Sequence, residues 1–163
     1  VTDSSPVLPA NAGERILLTL WAGGLWITGY LVAPLLFATL EERQLAGMVA
    51  GRVFTATSYL GLACGALLLA GALYREGRRI MGDWRAAVVG VMLVLTAAGE
   101  FLLQPRMAAL KAEGLLEGSA AAARFGLLHG ISSSLWLVNS VLALALVMAA
   151  GTVLSGRPIR AGG

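Results

Sequence analysis

Four long runs of apolar residues, separated by short polar stretches, make up most of this chain. The first covers 16–40 and carries no charged side chain. The second covers 53–74, the third 86–104 with Glu100 as its one interruption, and the fourth 127–154. A helix rises 1.5 Å per residue and needs about 20 residues to cross the hydrocarbon of a bilayer. Each run is long enough. The alternation expected of strands is absent from the pattern, and an open sheet leaves its edge groups unpaired in lipid. The expected fold is therefore all-α, an integral membrane four-helix transmembrane bundle. Residues 1–15 read as a flexible N-terminal tail, 16–154 as the transmembrane domain and 155–163 as a C-terminal tail. The polar stretches 41–52, 75–85 and 107–124 read as the connections.

Composition strengthens this picture. The chain of 163 residues is 58% hydrophobic and 13% charged, against about 25% charged in soluble domains, and its mean hydropathy is +0.80. A net charge of +3, with the basic residues spread along the chain, leaves no nucleic-acid footprint. The single cysteine, Cys64, lies in the second run and reads as a small packing residue. Arginine is far commoner than lysine, and alanine and glycine abound. That habit suggests a bacterial gene and hence a bacterial inner (cytoplasmic) membrane.

With four spans both termini share one membrane face. Arg15, Arg75, Arg78, Arg79, Arg85, Arg157 and Arg160 fall on it, against Arg43, Arg52, Arg106, Lys111 and Arg124 on the other. The positive-inside rule then makes both termini cytoplasmic. Pro34 withdraws a hydrogen bond from the carbonyl of Tyr30, which predicts a kink in the first span.

Candidate chemistry gathers near the outer ends of the last two spans. His129, the only histidine, shares a helical face with Ser132, Ser133, Trp136 and Ser140. Thr96, Glu100 and Gln104 share a face of the third span by four-residue spacing, and Arg106 lies about 9 Å beyond Glu100 along the axis. Arg52 enters the second span from the same side. A charged side chain at the centre of a membrane helix costs about 2.5–3.5 kcal/mol, so Glu100 needs a reason. Two readings stand: a site for a small polar solute or cation, built from Arg52, Glu100, Gln104, Arg106, His129, Ser132 and Ser133, or an interhelical clasp of Glu100 to Arg52, Arg106 or His129. Asn139, deeper and off the stripe, reads as helix–helix glue. The glycine pairs Gly47/Gly51, Gly61/Gly65 and Gly126/Gly130 have the spacing of close-packing faces in lipid.

The segments Leu128-His129-Gly130-Ile131-Ser132-Ser133 and Gln104-Pro105-Arg106 resemble the transmembrane-protein-205-like family, called in bacteria domain of unknown function 4149. In the first half, Trp21-Ala22-Gly23-Gly24-Leu25-Trp26, Ala33-Pro34-Leu35-Leu36-Phe37 and Ala50-Gly51-Arg52-Val53-Phe54 carry the same resemblance. It implies a small four-span membrane protein with no established biochemical activity.

The leading functional expectation is a small transport or ligand-binding module. The first alternative is an accessory subunit binding haem or quinone through His129, which is not favoured because b-type haem proteins usually show paired histidines. The second is a structural or assembly protein. One histidine and one distant cysteine do not supply a transition-metal site within a single chain. The sequence shows no Ser-His-acid order, zinc motif or phosphate loop, so catalysis is the least supported class. The expected partners are the bilayer and a homo-oligomer or larger membrane complex.

Overall fold

The computed structural model describes residues 12–116 and 118–151. Every regular element among them is helical. Helix α1 (Ala12–Ile27) passes through a π turn (Thr28–Val32) into α2 (Ala33–Thr39), and the three form the first span. Helix α3 (Arg43–Glu76) supplies the second span. After a short 3-10 segment (Gly77–Gly82), α4 (Trp84–Ala97) continues through a second π turn (Ala98–Leu103) into α5 (Gln104–Glu113), which completes the third. Helix α6 (Ala120–Gly151) supplies the fourth. All four spans are long and apolar enough to cross a membrane, and between 22% and 28% of an 18-residue apolar stretch of each is buried inside the protein.

The helices overrun their expected limits. The second span begins at Arg43 rather than 53, the third runs to Glu113 rather than ending at 104, and the fourth begins at Ala120 rather than 127. The expected connections 41–52 and 107–124 are rich in Ala, Leu, Met, Arg, Gln and Glu, which favour helix, and polarity alone does not end one. The stops are local. Gly77 and Gly114 take positive φ (57° and 91°) beyond the second and third spans, a conformation glycine adopts without steric cost. The Asp83 carboxylate accepts from the Arg85 N–H at the start of α4, and the Ser119 hydroxyl accepts from the Ala122 N–H at the start of α6, so each is an N-cap. Residues 1–11 of the expected N-terminal tail, the end of the fourth run at 152–154 and the tail 155–163 with Arg157 and Arg160 lie outside the described residues.

Each π turn lies just before a proline. Pro34 and Pro105 have no N–H, and their rings crowd the carbonyls of Tyr30 and Phe101, four residues back. The extra residue in the turn moves those carbonyls aside. The N–H groups of Ala33 and Gln104 reach five residues back, to the carbonyls of Thr28 and Gly99. At Pro34, where a kink is expected, the helix continues through a local widening, and Pro105, expected to close the third span, sits inside it.

The spans form a ring. α1 packs on α3 and α6, and α4 packs on the same two, so the first and third spans face each other across a diagonal. The apolar core lies in the half nearer the termini, where Trp21, Ala22, Leu25, Cys64, Val89, Met92, Ala143 and Leu146 cluster. Trp21 holds it together. Its indole lies in the notch left by Gly61 and Gly65, where an added Cβ would come within 2.3 Å and 2.8 Å of the ring. An ion pair between Glu14 and Arg75 joins the first two spans at that end.

Beyond the π turns the ring divides. α2 packs on α3, and α5 packs on α6. The bundle is closed at the terminal end and splits into two hairpins toward the connections that begin at Leu40 and Gly114.

Candidate functional site

Buried polar groups occupy the middle of the bundle, where the ring begins to divide. Thr57 uses its hydroxyl proton on the Val53 carbonyl (2.9 Å), so the Thr28 hydroxyl donates to Thr57, 2.8 Å away. On the opposite side Thr96 donates to the Met92 carbonyl (2.8 Å) and accepts from Asn139 Nδ2 (3.1 Å). The two pairs repeat one design: a threonine bonded back to its own helix presents a lone pair to the neighbour. Asn139 Oδ1 is buried without a partner among the described residues. Trp136 packs beside the first pair. Its Nε1 donates to the Leu25 carbonyl at 3.2 Å, its ring meets Phe54 edge-on at 4.6 Å, and it covers Gly29.

The expected polar stripe on the fourth span crosses two environments. Trp136 and Ser140 point inward, with Ser140 only 1% exposed and donating to the Trp136 carbonyl. Ser132 is half-buried, while His129 and Ser133 are exposed. Residues 129 and 140 do share a helical face, but α1 covers it only at the level of Trp136 and Ser140. Nearer the loop the first span leans toward α3 and leaves that face open. The His129 ring lies parallel to Phe125, centroids 6.0 Å apart, and Lys111 Nζ stands 5.3 Å from the same Phe125 ring.

Glu100 lies in the second π turn, near the midpoint of the 30-residue third span. This is deeper than its expected place close to a helix end. It is half-buried and has no ion pair or hydrogen bond among the described residues, so the clasp to Arg52, Arg106 or His129 is not formed. The four-residue spacing of Thr96, Glu100 and Gln104 fails to keep one face, because the π turn inserts a residue between them. Thr96 meets the fourth span, whereas Gln104 Nε2 donates, at a long 3.4 Å, to Thr55 on the second. Arg52 is exposed. A Cβ at Gly51, Gly126 or Gly130 would meet nothing within 4 Å, and one at Gly47 would only touch Phe37 at 3.9 Å.

One expected residue does line a cavity. Arg106 and Arg124 border a cleft of about 370 Å³ between α5 and α6, completed by Ala109, Leu110, Leu127 and Leu128. Neither arginine has an ion-pair partner among the described residues. Arg124 was absent from the expected set because its run of alanines read as a connection. Once that stretch is helical, the antiparallel hairpin brings Arg124 to the level of α5. The chemistry such a cleft offers is anion binding: guanidinium groups present paired N–H donors to phosphate or carboxylate.

Four apolar spans closing into a ring around a threonine–asparagine belt define a multi-pass helical membrane protein. The chain belongs to the family described as Domain of unknown function (DUF4149), which matches it over residues 16–115. The matched region contains three spans, Glu100 and Arg106, and stops before the fourth span with Arg124 and His129. No curated protein and no solved structure matches the chain.

Proposed function

We propose that this membrane protein is a ligand-binding module whose site is the cleft between the third and fourth spans at the loop end, with Arg106 and Arg124 holding an anion. The observation that carries this reading is two arginine side chains bordering one cleft, with no carboxylate paired to either among the described residues. Like charges set together repel, and a bound anion removes that cost. Binding is favoured over passage through the bundle because the terminal half is filled: Trp21, Leu25 and Met92 are each no more than 2% exposed. Glu100 and His129 fall outside this site, Glu100 in the π turn where the ring begins to divide and His129 exposed on α6 beside Phe125.

The test is thermal unfolding of the purified protein in a neutral detergent with a series of anions, from inorganic phosphate to phosphatidylglycerol. A ligand at a hundred times its Kd stabilises the native state by about 2.7 kcal/mol. At least one of the series should raise the Tm of the wild type and leave R106Q/R124Q unchanged. No member discriminating between the two proteins would refute the site.

In this proposal the termini lie on the cytoplasmic side of a bacterial inner membrane, which the excess of arginine near them favours, and the cleft lies on the far side. A phosphatase or fluorescent-protein reporter fused to the C-terminus should report a cytoplasmic location. An extracytoplasmic signal would reverse the orientation and leave the cleft where it is.

A further inference from the structure

We infer that the cleft holds an anionic phospholipid of the surrounding leaflet, with its phosphodiester on Arg106 and Arg124 and the start of an acyl chain along Leu110, Leu127 and Leu128. This inference rests on the reading of the cleft as an anion site and adds what the anion is attached to.

Three observations point to a lipid rather than a free ion. First, four of the six lining residues are apolar, Ala109, Leu110, Leu127 and Leu128. A free phosphate leaves those walls wet, whereas an acyl chain covers them and gains about 25 cal/mol for each Å² of apolar surface removed from water. Second, the cleft opens outward. Leu127 is 66% exposed, and both arginines are exposed, so the apolar wall runs directly into the surface that meets the bilayer. Third, the arginines stand in the outer part of their spans, toward one end of the bundle. By helical rise, Arg124 is about 6 Å and Arg106 about 10 Å from the helix ends beside the connection that begins at Gly114. Long aliphatic stems let arginines at this level lie along apolar surface while their guanidinium groups meet phosphate. Lys111, beside Phe125 on the same hairpin, adds positive charge at this end of the protein. Of the acids in this connection, Glu113 is exposed and pairs with no arginine among the described residues, and Glu117 lies outside them. Basic pockets between membrane helices are a recurrent way to hold anionic headgroups.

The experiment uses the whole delipidated protein. Binding of dioleoylphosphatidylglycerol, dioleoylphosphatidylcholine and glycerol phosphate is measured by native mass spectrometry and by the shift in Tm. The wild type should retain phosphatidylglycerol and bind it at least tenfold more tightly than phosphatidylcholine. Each single variant, R106Q or R124Q, should weaken phosphatidylglycerol roughly fivefold, the cost of about one basic side chain near a membrane surface. R43Q, at the same end of the protein but outside the cleft, should leave it unchanged. Leu127→Ala should weaken the lipid without affecting glycerol phosphate. If glycerol phosphate binds as tightly as phosphatidylglycerol, the anion site stands and the lipid inference fails. Equal retention of both lipids, or an undiminished preference in the arginine variants, overturns the inference. If nothing in the series binds, the anion site falls with it.

Discussion

Gly61 and Gly130 are both membrane-helix glycines four residues from another glycine, and they differ in what stands opposite. An alanine methyl at Gly61 collides with the buried Trp21 indole, whereas at Gly130 or Gly126 it enters open space. Gly61→Ala should therefore lower stability by about 1–3 kcal/mol, the usual cost of overpacking. Gly126→Ala should change it by less than about 1 kcal/mol and in the stabilising direction, since alanine is the better helix former. Thermal unfolding of both variants in one detergent checks this, and equal losses would contradict the Trp21 notch. The spacing of these glycines was legible in the sequence, but their environments were not. A glycine pair records that a close approach is allowed, and only the tertiary arrangement decides which pair receives a neighbour. The same holds for His129 and Ser140, which share a face by periodicity and differ in whether another helix reaches that level.

At the scale of the element, the four spans could be read from the sequence because hydrocarbon permits little except helix over such runs. Their ends could not, since polar but helix-favouring stretches such as 43–51 and 107–113 continue the helices past the apolar limits. The π turns were invisible for a further reason. Proline announces a disturbed turn without saying whether the helix breaks, kinks or takes in a residue. Insertion is the outcome at both Pro34 and Pro105, and π turns recur where membrane and soluble helices carry function. At the third span it sends Thr96 toward the fourth helix and Gln104 toward the second, which is why the expected polar face dissolved. Pro105→Ala restores an N–H that can reach Phe101 and removes the ring clash, so the segment 98–103 should relax toward regular helix. Amide exchange over those residues should slow, measured by hydrogen–deuterium exchange in nanodiscs. Unchanged exchange would mean that packing, not the proline, imposes the turn.

Across the whole molecule, a greasy, closed half near the termini gives way through a polar belt to a divided half carrying the arginine cleft. Hydropathy identified the membrane class but not the order of the spans around the ring, because a membrane helix is apolar on its lipid side as well as its core side. That order decides which groups meet, Thr28 with Thr57 and Thr96 with Asn139, while the α5–α6 hairpin sets Arg106 and Arg124 along one cleft. It can be tested without any ligand. In a Cys64→Ala background, the pairs Thr28→Cys/Thr57→Cys and Thr96→Cys/Asn139→Cys should form disulfides rapidly under mild oxidation in native membranes. The diagonal pair Thr28→Cys/Thr96→Cys should not. A diagonal pair that cross-links as readily as the two adjacent ones, or adjacent pairs that stay reduced, would contradict the ring.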